Sequence, residues 1–359
     1  MRLESVTHRL FGEATDRWEK FAFWMLALTL LAIPTSESAK SILFALGTVP
    51  WGVVVWRRRN DLPFGIILPW IGLVCATAFS AANAAFPLAA LRGTVDYVRI
   101  LVLFLVVVTL AQDPARKKAV FWIFLASTAL AASVALGIGE KTAGRLEVFS
   151  LGAFDQSSYF LSFVLLLALA AAFGGRGWRE RVAAMLLAAP ITAAMLLSFT
   201  RVSILAAAAG FVYLVVRVRM ARQLRLFLGI AMALLVVGFA WLGPSLDLYL
   251  PRNDFVSSVV PAGEERWTRW EYAVMASREH WLVGYGLKHY RFIDFGKYGA
   301  DTTYHFNNAH NQYVNMLVEL GLLGLVFFGA LLLSFMRNLW VQATSRLYAA
   351  GTEVLGIGA

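Results

Sequence analysis

The chain has 359 residues, 59% of them hydrophobic and only 15% charged, with a mean hydropathy of +0.66 and a formal net charge of +10. Soluble domains sit at roughly 45–50% apolar and about 25% charged, so the composition excludes a soluble globular protein and indicates an all-α, polytopic transmembrane helical bundle. The positive charge does not indicate nucleic-acid binding, which needs a basic face on a water-exposed domain. Here the basic residues fall in short turns between apolar runs, where anionic lipid headgroups are the natural partners.

A spanning helix needs about 20 apolar residues, and ten runs read as credible spans, near 18–35, 38–56, 62–80, 94–111, 118–138, 154–174, 182–199, 202–216, 225–243 and 311–336. The first nine form an N-terminal transmembrane bundle over 1–243. A polar segment with an interfacial helix follows over 244–310, and a C-terminal transmembrane part over 311–359, read as incomplete because 338–359 resembles the start of a further span. Cys75 is the single cysteine and lies in the third run, so no internal disulfide is possible. The first apolar stretch lacks a small-residue cleavage site and leads directly into a second span, so it does not read as a cleavable signal.

Basic residues set the orientation. Arg17 and Lys20, then Arg57 to Arg59, Arg116 to Lys118, Arg176 to Arg181, Arg217 to Arg225 and Arg337 recur at alternate turns. They place the N-terminus in the cytoplasm and the segment 244–310 on the outer face. That segment opens with Pro244, Pro251 and Pro261, so irregular structure is expected first. From Glu264 to Trp281 there is neither Pro nor Gly, and Trp267, Trp270, Val274 and Trp281 recur on one helical side, with Arg266, Arg269, Ala273 and His280 adjoining. A Trp-rich, Arg-bearing helix beside a bilayer is expected at the interface, with guanidinium groups at headgroup depth. Gly284-Tyr285-Gly286 ends it.

Four of the five histidines (His280, His289, His305 and His310) lie in this segment or at its junction with the last span. His310 stands in Asn308-Ala309-His310-Asn311-Gln312-Tyr313 at the mouth of that span. An imidazole with an ordinary pKa near 6.5 is the usual general base at neutral pH, and a hydrogen-bonded helix-start histidine fits the same pattern. The spacing of His305, His310, Asp294 and Asp301 matches no established metal-ligand motif, so no metal is expected.

Arg201, in Ser198-Phe199-Thr200-Arg201, sits between two spans on the outer side, where topology gives no reason for an arginine. Its planar fork suits a pyrophosphate and keeps its charge at all working pH, while snorkelling to lipid phosphate is the plainer alternative. Arg92 and Arg145, read on outer loops, could extend a basic rim. Asp96 and Arg99 read as an intramembrane ion pair at i and i+3. Glu319, inside the last span, must find a partner within the bundle, such as an arginine, and reads as structural.

Taken together, Ala309-His310-Asn311-Gln312-Tyr313, Glu319-Leu320-Gly321-Leu322-Leu323-Gly324, the Arg266 to Trp270 block leading to Gly284-Tyr285-Gly286, and Ser198-Phe199-Thr200-Arg201 resemble the O-antigen ligase and O-antigen polymerase superfamily. The likeness covers about residues 190–330, and the first half matches only in hydropathy. The family has about twelve spans of about 20 residues, against ten read here. The overall likeness is greatest to ligases of lipopolysaccharide.

The resemblance implies a multi-pass protein of the bacterial inner membrane with a periplasmic active site. It implies transfer of O-antigen from undecaprenyl diphosphate to lipid A–core oligosaccharide, with no metal, nucleotide or other cofactor. His310 carries over as the family's essential histidine, Arg266 as its outer-segment arginine and Arg201 as its inter-span arginine. Asn311, Tyr313, Arg145, Arg92 and the off-pattern Arg269 stand as further substrate-binding candidates. Rival readings are a polymerase of lipid-linked repeat units, a protein O-oligosaccharyltransferase and, from another class, a glycolipid transporter. Oligomeric state leaves no readable mark.

Overall fold

The structure is a computed structural model that describes residues 16–62, 64–139, 141–142, 145–148, 154–174, 177–198, 200–217, 264–300 and 308–354. It is helical, as the composition requires. The helices are α1 Arg17–Ala32, α2 Glu37–Arg57, α3 Phe64–Ser80, α4 Pro87–Leu110, α5 Pro114–Ile138, α6 Phe154–Gly174, α7 Trp178–Leu197, α8 Arg201–Arg217, α9 Glu264–Ser277 and α10 Gln312–Val354. Nine of the ten expected spans coincide with one of these helices, and the run at 225–243 lies outside the described residues.

Among the described residues seven helical segments are long and apolar enough to cross a membrane, fewer than the ten expected. α1 holds only 16 residues, about 24 Å at 1.5 Å per residue, which is short of a core about 30 Å thick. Val202–Val216 in α8 is likewise shorter than a full span. The loop expected after α5 contains a small antiparallel ladder, β1 Lys141–Thr142 with β2 Arg145–Leu146, in which Thr142 faces Arg145.

The chain forms two compact units that do not follow sequence order. One comprises 1–57 with 109–258, the other 58–108 with 259–359. In the first, α5, α6, α7 and α8 share a core of small and branched residues, including Ala132, Ala135, Leu161, Val164, Ala168 and Ile191, which also takes in Leu146 and Val148. Small side chains let helices approach closely where no hydrophobic force separates protein from lipid. α5 starts sharply because Asp113 accepts from the Ala115 and Arg116 backbone N–H groups and Pro114 occupies the first helical position. Arg116 pairs with Glu19 of α1 with both side chains nearly buried. Trp51 Nε1 donates to the Ala22 carbonyl at 3.0 Å and ties α2 to α1.

In the second unit α3 and α10 pack through Ile66, Leu73, Met316, Leu320 and Leu331, joined by Leu287. Large apolar side chains such as Leu46, Phe79, Leu186 and Val216 stay exposed on the helices, the surface expected of lipid-facing segments.

α10 is not one straight span. Gly321 stands at φ 66, ψ −163 and breaks it into two helical pieces. Tyr313 and Phe328 flank the break, and in an unbroken helix their backbones would lie roughly 22 Å apart. Their ring centroids instead approach to 5.9 Å, so the bend is sharp.

Candidate functional site

The break in α10 is filled by backbone from the polar segment. The Tyr285 and Gly286 N–H groups donate to the carbonyls of Val318 and Glu319, each at 2.9 Å. In return, the Leu322 and Leu323 N–H groups donate to the carbonyls of Trp281 and Leu282, at 2.8 and 3.2 Å. Bending the helix would orphan those groups, and this exchange satisfies them.

Two glycines make the crossing possible. A Cβ on Gly284 (φ 72) would lie 2.4 Å from the Glu319 carbonyl, and one on Gly321 would lie 2.4 Å from the Leu282 carbonyl. The two glycine motifs singled out in the sequence are therefore opposite sides of one contact. Glu319 is held by backbone rather than by the arginine expected, since its Oε1 accepts from the Tyr290 N–H at 3.3 Å.

α9 lies against this crossing with Ala273 and Ala276 fully buried among Tyr290, Phe295, Ala309 and Val318. It ends at Ser277 rather than reaching Trp281 as expected. Arg278 and Glu279 leave the α pattern, donating to carbonyls three residues back. Trp267, Val274 and Trp281 are exposed. Trp270 turns inward, and its Nε1 donates to the Ala309 carbonyl at 2.7 Å.

His310 follows Ala309 directly. It is exposed, sits at φ 50, and its N–H donates to Asn308 Oδ1 at 2.9 Å. Left-handed backbone in a residue other than Gly costs on the order of 1–2 kcal/mol and persists only where neighbours over-determine it. Asn311 caps α10, with Oδ1 accepting from the Tyr313 N–H at 3.0 Å and the Val314 N–H at 3.4 Å. Tyr313, on the first turn, is exposed.

Arg269 is half-buried and acts electrostatically on Tyr290. Burial raises that phenol above its ordinary range, the Arg269 charge opposes the rise and the Glu319 charge adds to it. Arg266 sits one helical turn before Trp270, its side chain outside the described set. Arg92, expected on a loop, instead lies within α4, exposed. Arg201 opens α8 and Arg145 opens β2, both in the first unit, with their side chains outside the described set.

Asp96 is only 3.9 Å from Arg99 but 2.6 Å from Lys288, so the ion pair expected within α4 is outweighed by one to the polar segment. Asp294 accepts from the Gly296 N–H and stabilises its own turn. Asp301 and His305 lie outside the described residues.

Nothing in the sequence pattern singled out a cleft of about 310 Å³ beside the α9 end, lined by Glu279, His280, Tyr285, Phe292, Lys297 and Tyr298 among others. Lys297 Nζ is 2.7 Å from Glu279 Oε1, and the Tyr285 hydroxyl is 3.1 Å from Glu279 Oε2 and 3.0 Å from the Tyr298 hydroxyl. Hydrogen bonds from Lys297 and then Tyr298 lower the Glu279 carboxyl to about 2. Burial foremost raises the Tyr285 phenol, which stays a donor. His289, nearly buried, accepts from the Phe86 N–H at 3.1 Å through Nε2, so Nδ1 carries the proton and donates to the Leu287 carbonyl at 2.8 Å. It is a satisfied structural histidine, whereas His310 is exposed.

Residues 182–329 match the family model described as O-antigen ligase. The match contains Arg201, Arg266, Arg269, His310, Asn311 and Tyr313, whereas Arg92 and Arg145 precede it. No curated protein sequence matches the chain.

Proposed function

We propose, from the match of residues 182–329 to the O-antigen ligase family model and from the helices long and apolar enough to cross a membrane, that this chain is a ligase of that family. It would transfer O-antigen glycan from undecaprenyl diphosphate to lipid A–core oligosaccharide at the periplasmic face of the bacterial inner membrane. The observation that carries this reading is His310: an exposed imidazole, held in left-handed backbone at the entrance of a bent helix, within the matched region.

In the proposed reaction an acceptor sugar hydroxyl loses its proton to His310 as its oxygen attacks the anomeric carbon of the donor. The bond from that carbon to the diphosphate oxygen breaks, and undecaprenyl diphosphate leaves with the electron pair. Arg201 and Arg266 offset the charge growing on the leaving oxygens. Single displacement inverts the anomeric centre. Asn311 and Tyr313 follow His310 in the chain and stand with Arg269 as substrate-binding candidates, and Arg92 and Arg145 supply basic charge for headgroup or diphosphate approach. Arg269 ranks below Arg266 because it is off the family's pattern.

The test is a reconstituted assay in proteoliposomes with a lipid-linked donor and either lipid A–core or a second lipid-linked glycan as acceptor. His310→Ala is expected to lose at least about 100-fold in rate, the usual scale of a general base, without loss of folded protein. Transfer by His310→Ala at the native rate overturns the assignment. Product only with the second lipid-linked glycan makes the enzyme a polymerase.

A further inference from the structure

The peptide that precedes His310 is gripped from two sides. Ala309 is fully buried, and both of its backbone polar groups are taken by side chains from different parts of the fold. Its N–H donates to Asn315 Oδ1 at 2.8 Å, from the first turns of α10. Its carbonyl accepts from Trp270 Nε1 at 2.7 Å, from α9. Asn308 Oδ1 then takes the His310 N–H at 2.9 Å. Three successive polar groups are thereby fixed immediately before a residue whose φ of 50 is unfavourable for any side chain bearing a Cβ.

A strained backbone that relaxed would swing the imidazole away, because φ sets the direction of the Cα–Cβ bond. The clamp on Ala309 fixes the peptide on one side of that rotation, and the Asn311 cap on α10 fixes the chain on the other. We propose that Trp270 and Asn315 are positioning residues: they aim His310 by gripping the peptide ahead of it, and touch no substrate themselves. This inference rests on His310 acting as the base.

The clamp also explains the kinds of residue found at these positions. Indole offers one donor on a rigid apolar plate, which suits a half-buried place against Ala309 and the core of Tyr290 and Val318. Asn315 must present an acceptor to an N–H, and an amide does so without a formal charge. Trp270 further couples the α9 arginines to His310, since any shift of α9 pulls on the same carbonyl.

The experiment compares Trp270→Phe, Asn315→Leu and Asn315→Asp with His310→Ala in the reconstituted assay, with thermal unfolding followed in detergent. Trp270→Phe keeps the ring and loses the donor. Asn315→Leu keeps the volume and loses the acceptor, while Asn315→Asp keeps the acceptor. The expected result is a fall in kcat of roughly 10- to 100-fold for the first two, the scale of a misplaced catalytic group. KM for the lipid-linked donor should stay near native, and kcat should recover in Asn315→Asp.

Native kcat in Trp270→Phe and Asn315→Leu, beside an inactive His310→Ala, overturns the clamp alone. Equal loss in Asn315→Leu and Asn315→Asp also overturns it, since the acceptor oxygen would then not be what matters. An active His310→Ala instead removes the underlying assignment of the base. If Trp270→Phe does not fold, the Asn315 pair decides the matter by itself.

Discussion

Glu279 carries a carboxylate held by Lys297, Tyr298 and Tyr285, and it titrates at about 2 instead of its ordinary 4.5. A carboxyl depressed on folding stabilises the native state above its unfolded pKa, and that contribution fades as pH falls through the folded value. Native Glu279 should therefore lend stability that declines between about pH 4.5 and about pH 2. Glu279→Gln should lose this part of the acid dependence while leaving the neutral-to-alkaline profile intact, as read from thermal unfolding at stepped pH. The effect should be small, because the group is exposed to solvent.

The same residues show why side-chain partners escape sequence reading. Lys297 lies 18 residues from Glu279 and Lys288 lies 192 from Asp96. No helical or strand period links such pairs. The local Asp96–Arg99 spacing was legible, and it proved to be the weaker contact.

Among the elements, α10 departs furthest from expectation. An apolar run of this length reads as one span because hydropathy is blind to φ, and the bend depends on a glycine at φ 66. Gly321→Ala should cost at least about 2 kcal/mol, combining left-handed strain with overpacking, since its Cβ would lie 2.4 Å from the Leu282 carbonyl. Gly284→Ala meets the other side of the same crossing and should cost a similar amount. The double variant should lose less than the sum, because either methyl alone already pushes the two backbones apart. Denaturation of the three variants in detergent would test this, and strict additivity would contradict the interlock.

The glycines themselves were visible as motifs. Their mutual contact was not, because residues 284 and 321 meet only through the tertiary fold. Asn311 shows the converse. Its cap on α10 follows from local chemistry that any Asn before a helix offers.

For the whole molecule, alternation of basic and apolar stretches leads to a sidedness that cysteine accessibility can measure. In a Cys75→Ser background, a cysteine at Asn60 should react with membrane-impermeant reagent only from the cytoplasmic side. One at Lys297 should react from the periplasmic side. Labelling of both from one side would overturn the orientation on which the proposed site depends.

The sequence by itself determined the class of molecule and the place of nine helices, and the motifs around His310 fall within the region that matches the family model. Each of these depends on composition or on spacing along a single element, and such spacing survives without knowledge of the fold. Only the tertiary structure decided that each unit draws on two separate stretches of the chain, that α10 bends around Gly321, and that Ala309 is gripped from α9 and α10 together. These are meetings of residues distant in the chain. They come about because a bent helix must give its unpaired backbone groups partners, and the nearest partners fold back from another segment.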